Sequence, residues 1–199
     1  MDQAKCQSPS ELTISSAMRA AGVPSAYIDA EPRADLMGGA YLYGKPGRGK
    51  THAACGAIRA FVEAHVIETE GQFVYWGPRA RFMNVPDWFM RLRETYDRNG
   101  ESERSAFERY AKADLLVLDD LGKGSRSEWA VERLYLILDR RCNDNLPTII
   151  TSNYGLSKVA SMLSTDEETM QAIASRAYMT CGRNGVEVTG SDRRFGKIS

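Results

Sequence analysis

The sequence predicts an α/β fold, a five-stranded parallel sheet flanked by helices and organised around a phosphate-binding loop. Three observations predict it. The stretch Gly44-Lys45-Pro46-Gly47-Arg48-Gly49-Lys50-Thr51 fits G-x-x-x-x-G-K-[ST] between a predicted strand and a predicted helix. Short apolar runs alternate with segments of helical period, as a parallel sheet with crossover helices requires. One of those runs ends on paired acids, Asp119-Asp120.

Taking the elements in order, Ser8-Pro9-Ser10-Glu11 has the form of a capping box with proline at the first helical position. Gly22 and Pro24 then stop a short helix expected over about residues 9 to 21. "EPRADLMGG" reads as a connector into the first core strand. Five apolar runs have strand length and residue type: Ala40–Tyr43, Phe73–Trp76, Leu115–Leu118, Thr148–Thr151 and Val186–Val188. After Thr51, Ala54, Ala57, Ile58, Phe61 and Val62 fall at helical spacing; after Glu128, Val131, Leu134, Tyr135 and Leu138 do the same. "DWFMRLRETYDR" reads as an amphipathic helix with a solvated basic face.

Composition bounds the function. With 199 residues the chain suffices for one sizeable core and is short for two domains of about 150. Lys plus Arg (26) balances Asp plus Glu (26), so nucleic-acid contact requires a local basic patch. No run approaches the roughly 18 apolar residues of a membrane span, and "MDQAKCQSPSE" lacks a secretory core, so a cytoplasmic protein without membrane attachment is expected. Cys6, Cys55, Cys142 and Cys181 lie far apart and read as free thiols. His52 and His65, the only histidines, leave little material for a metal cluster or a triad.

The glycine-rich loop lets backbone N–H groups wrap a phosphate chain, and the helix that follows adds free donors and a favourable dipole. On this reading Gly44, Lys45, Pro46, Gly47, Arg48, Gly49, Lys50, Thr51 and His52 bind nucleotide, with Lys50 on the β- and γ-phosphates and Thr51 on Mg²⁺. Asp119, carried to the carboxyl edge of the sheet, is the second Mg²⁺ partner. Asp120 orients and polarises the attacking water. "PTIITSN" delivers Asn153, a neutral group able to hold that water; turn chemistry is the other reading of this Ser-Asn.

With these residues the chain resembles the AAA+ ATPases, and within them the bacterial helicase loaders of DnaC and DnaI type, with the IstB transposition ATPases as close relatives. The likeness runs from "AAGVPSAY" to the end, through "YLYGKPGRGKTHAA", "ADLLVLDDLG", "EWAVERLYLILDRRCNDNLPTIITSN", "IASRAY" and "GSDRR". It implies an N-terminal helix and connector over 1–35 and an AAA+ ATPase domain over 36–199, with a reduced or absent helical lid. It also implies a homo-oligomer joined through its nucleotide edges. There Arg176 matches an arginine finger that reaches the neighbour's γ-phosphate, and Arg194 matches a second sensing arginine, with Arg193 as its rival. The chain departs from the family's common pattern in three respects: Asp-Asp stands where many relatives have Asp-Glu, Gln171 and Ala172 stand where a further arginine is frequent, and only about 35 residues precede the core.

The implied function is an ATP-dependent loader that places a DnaB-type replicative helicase on single-stranded DNA, using ATP and Mg²⁺. Candidate DNA contacts are Arg79 and Arg81, interleaved with Tyr75, Trp76 and Phe82, and Lys123 and Arg126 in the loop after the acidic strand. Three alternatives remain open: an IstB-like ATPase assisting a transposase on duplex DNA, a small-molecule or nucleotide kinase, and an ATP-binding adaptor with little turnover.

Overall fold

A computed structural model describes residues 11–69, 72–75, 79–94, 103–123, 127–164, 166–182 and 185–190. Its first helix, α1 (Glu11–Ala20), leads through single turns at Ser25–Tyr27 and Ala34–Leu36 into β1 (Ala40–Tyr43). The glycine-rich loop follows, then α2 (Lys50–Glu63), a hairpin of β2 (Val66–Thr69) and β3 (Gln72–Tyr75), then β4 (Ala80–Asn84). Helices α3 (Val85–Glu94) and α4 (Glu103–Ala111) precede β5 (Leu115–Leu121), α5 (Glu128–Asn143) and β6 (Thr148–Ser152). The described chain closes with α6 (Leu156–Leu163), α7 (Glu167–Thr180) and β7 (Gly185–Glu187). Among the described residues no separate helical lid follows β7.

The main sheet has the order β4-β5-β6-β1-β7, and every pairing in it is parallel. Successive residues of its strands feed opposite faces, the period-two rule of a strand. Leu115 and Val117 join Leu42, Phe82 and Ile149 in one core under α1 and α2. Leu116 and Leu118 join Met83 and Ile150 in a second core under α3, α5, α6 and α7. Burial on both faces is why the central strands read as unbroken apolar runs.

The structure corrects one strand assignment. Phe73–Trp76 was expected in the parallel sheet; instead Gln72–Tyr75 pairs antiparallel with Val66–Thr69 in a separate hairpin, and Trp76 lies outside the described residues. Gln72 and Val74 are exposed there and Phe73 and Tyr75 half-buried, too wet for a strand covered on both sides. Ala80–Asn84 takes the place instead, with Ala80, Phe82 and Met83 buried. Arg81 disguised it. An edge strand tolerates a charge, and its free edge is partly closed where the Phe82 N–H donates to the Ala21 carbonyl at 2.8 Å.

Two buried devices hold the scaffold in place. Gly56, inside α2, lets the connector cross the helix at close range: a Cβ there would collide with the Glu31 carbonyl oxygen. Arg141 is fully buried in α5 and donates to Thr148 Oγ1 and to the carbonyls of Tyr110, Ala111, Ala113 and Pro147. Burial pushes its guanidinium down to about 10, which leaves it protonated at neutral pH. Of the cysteines, Cys55, Cys142 and Cys181 are free thiols as expected, and Cys6 lies outside the described residues, as do Ser8, Pro9 and Ser10 of the capping box. No described helix is long and apolar enough to cross a membrane.

Candidate functional site

The loop between β1 and α2 turns through Gly49, which caps the helix in the left-handed region at φ 89°. A side chain would be strained there, so glycine is required where the loop swings its N–H groups inward. Lys50 begins the helix almost fully buried and donates from Nζ to the Gly44 and Lys45 carbonyls at 2.7 and 2.9 Å. The ammonium is thus held over the hollow of the loop.

Across from it, β5 delivers the paired acids. The β5–β6 register slips between Leu118 and Leu121, and Asp120 sits in the slip with φ 61°. A bulge re-aims the side chains around it. Asp119 stays buried, and its Oδ1 accepts from Thr51 Oγ1 at 2.8 Å and Thr151 Oγ1 at 2.7 Å. Burial pushes its carboxyl above the ordinary carboxylate range, and the Asp120 charge adds to this, while the two hydroxyls pull the other way. Asp120 is more open and pairs with Lys123 Nζ at 2.7 Å.

These groups share a cleft of about 430 Å³ lined by Pro46, Gly47, Gly49, Lys50, Thr51, His52, Asp119, Asp120, Lys123 and Asn153. Asn153 arrives at the end of β6, where Ser152 Oγ donates to the Leu121 carbonyl at 2.7 Å and ties β6 to β5. The cleft opens at the carboxyl edge of the parallel strands, where ligands of open α/β sheets bind. The donor set fits Mg²⁺: a hydroxyl and one buried carboxylate, oxygen ligands for a cation that keeps most of its waters. Among the described residues there is no cluster of three or more His, Cys, Asp or Glu of the kind a dedicated metal cage needs.

Other expected residues lie elsewhere. Arg176, on α7, pairs through Nε with Asp139 of α5 at 2.7 Å and does not line its own chain's cleft. Arg79 precedes β4, its backbone N–H held by Asp114 Oδ2 at 2.5 Å, and Arg81 lines a neighbouring groove. Lys123, expected on DNA, lines the cleft and pairs with Asp120. Arg126, Arg193 and Arg194 lie outside the described residues.

Sequence reasoning missed Thr151. Its hydroxyl donates to Asp119 and accepts from the Asp120 N–H at 3.0 Å, so one side chain orients both acids. The signal available was a polar residue inside an apolar run beside the acidic strand. Tyr27, Asn84 and Asp87 also line the cleft, and none was assigned a site role from the sequence.

Residues 37–197 match the family model described as IstB-like ATP binding protein. The replicative helicase loader DnaC of Escherichia coli (strain K12) is 25% identical over 120 residues, 60% of this chain and 44% of that protein. The chain thus aligns with less than half of that relative. The phage-like element PBSX protein XkdC of Bacillus subtilis (strain 168) is 24% identical over 155 residues, 75% of this chain and 50% of XkdC. Among solved structures, a crystal structure of DnaI superposes with a TM-score of 0.60 at 26% identity, covering 87% of this chain and 84% of that one. From the family match, the P-loop cleft and the five-stranded parallel sheet, the chain belongs to the IstB-like ATP binding proteins, AAA+ P-loop ATPases of the DnaC and DnaI type.

Proposed function

We propose that this chain binds and hydrolyses ATP with Mg²⁺ in a homo-oligomer and places a DnaB-type replicative helicase on single-stranded DNA. The observation that carries the proposal is the convergence of Lys50, Thr51, Asp119, Asp120 and Asn153 on one cleft, in a chain similar to DnaC and DnaI.

In this reading the loop N–H groups receive the phosphate chain, and Lys50 exchanges its two carbonyl partners for phosphate oxygens, stronger acceptors because they are charged. Thr51 and Asp119 hold Mg²⁺, which neutralises phosphate charge. Asp120 takes the proton of the attacking water and Asn153 fixes that water's position. Lys123, paired with Asp120, holds that carboxylate in place until then. Arg176 leaves Asp139 to reach the neighbour's γ-phosphate, so turnover depends on assembly. Residues 1–35 contribute the N-terminal helix and connector, and 36–199 the ATPase domain; Arg194 senses nucleotide in the same subunit.

The match to the IstB-like family favours a second reading, an ATPase that assists a transposase on duplex DNA. Lys50→Ala tests the site. It should weaken ATP binding roughly tenfold to a hundredfold, the loss of a charge-assisted contact, and leave thermal stability intact. It should also abolish the start of unwinding by a DnaB-type helicase on protein-coated single-stranded DNA. Equal ATP affinity in the variant overturns the site, and equal unwinding overturns the loader reading.

A further inference from the structure

Among the described residues, the lysines and arginines that line the nucleotide cleft are Lys50 and Lys123. Lys50 belongs to the phosphate-binding loop. Lys123 belongs to the turn that follows the acidic strand. β5 ends at Leu121, and the Lys123 N–H donates back to the Asp120 carbonyl at 3.2 Å, which closes that turn tightly. The two side chains meet as well, Lys123 Nζ standing 2.7 Å from Asp120 Oδ1. Both stay partly open, with 41% and 27% of the side chain exposed. An ion pair this open adds little to the stability of a fold, so the end of β5 does not need it for structure.

Charge gives the lysine a use. Asp119 and Asp120 bring two carboxylates to the cleft, and in the proposed reaction the γ-phosphate comes up to both. Mg²⁺ offsets the charge of Asp119 there. Asp120, the proposed base, is not a metal ligand, and an approaching phosphate of like charge is repelled by its carboxylate. An ammonium carries three N–H donors and no acceptor. One donor can therefore stay on Asp120 while a second meets a phosphate oxygen, a charged and hence strong acceptor.

We propose that Lys123 bridges Asp120 and the γ-phosphate of bound ATP, and so discriminates ATP from ADP. This role rests on the proposed function and takes the place of the DNA contact expected of Lys123. ADP lacks the group that the second donor reaches, so departure of phosphate returns Lys123 to Asp120 alone.

The test uses the full chain as wild type, Lys123→Gln and Lys123→Arg. Calorimetry gives the affinity of each for a non-hydrolysable ATP analogue and for ADP, both with Mg²⁺. Lys123→Gln should bind the analogue about tenfold more weakly, the loss of one contact to a charged group, and ADP within about twofold of wild type. Lys123→Arg should recover most of the loss. Repeating Lys123→Gln in an Asp120→Asn background separates contact from repulsion. A further loss of analogue affinity there supports the bridge; no loss there means that Lys123 acts only through Asp120, which overturns it. An unchanged ratio of analogue to ADP affinity in Lys123→Gln also overturns the proposal, and a fall in single-strand binding beside that unchanged ratio returns Lys123 to DNA. Wild type that binds neither nucleotide sinks the nucleotide reading itself, a result distinct from wild type and variant binding both nucleotides alike.

Discussion

Thr151 shows how much of the site depends on one hydroxyl. It binds the buried Asp119 carboxylate and the Asp120 N–H, and so fixes the two acids relative to each other. If Asp120 takes the proton, Asp120→Asn should cut single-turnover ATP hydrolysis about a hundredfold or more, with ATP affinity within about twofold of wild type. Hydrolysis at the wild-type rate would remove Asp120 from the mechanism. At this scale the sequence was legible where the requirement is local. Gly49, Lys50 and Thr51 meet backbone demands within one turn, and the acids end a strand that anyone can read. Thr151 was hidden because its contact with Asp119 spans 32 residues of chain. Arg176 had a motif, but only the structure could reveal Asp139 beside it.

Among the elements, α5 is the clearest case of a helix read correctly for incomplete reasons. Its apolar face was visible in Val131, Leu134 and Leu138, and Ser127 caps it through Oγ to the Ala130 N–H. Arg141, near its end, was assigned no role from the sequence and is the most deeply set charge among the described residues. Arg141→Ala strands four carbonyls and the Thr148 hydroxyl, and should cost about 3–5 kcal/mol, measured by urea unfolding. A loss under about 1 kcal/mol would mean the carbonyls find water instead. The misassigned strand has a related cause. Phe73–Tyr75 is more apolar than Ala80–Asn84, yet only the latter meets the β5 edge in register, from Ala80 against Leu115 to Asn84 against Asp119. Local hydrophobicity does not report which run the sheet recruits.

For the molecule as a whole, the parallel sheet gathers its chemistry on one edge. The loop after β1, the acids of β5 and Asn153 after β6 all emerge there, from the three central strands of the order β4-β5-β6-β1-β7. That arrangement was legible because strand ends and motifs coincide in the sequence. In the proposed homo-oligomer, Arg176, held by Asp139 away from its own chain's cleft, would serve a neighbour's. Under the proposed function, ATP state should govern the grip on single-stranded DNA. Fluorescence anisotropy of a labelled single strand, titrated with Mg²⁺-ATP and then with Mg²⁺-ADP against unlabelled duplex competitor, tests it most directly. Tighter single-strand binding with ATP, resistant to duplex, is the predicted result; preference for the duplex, or the same affinity with either nucleotide, would contradict it.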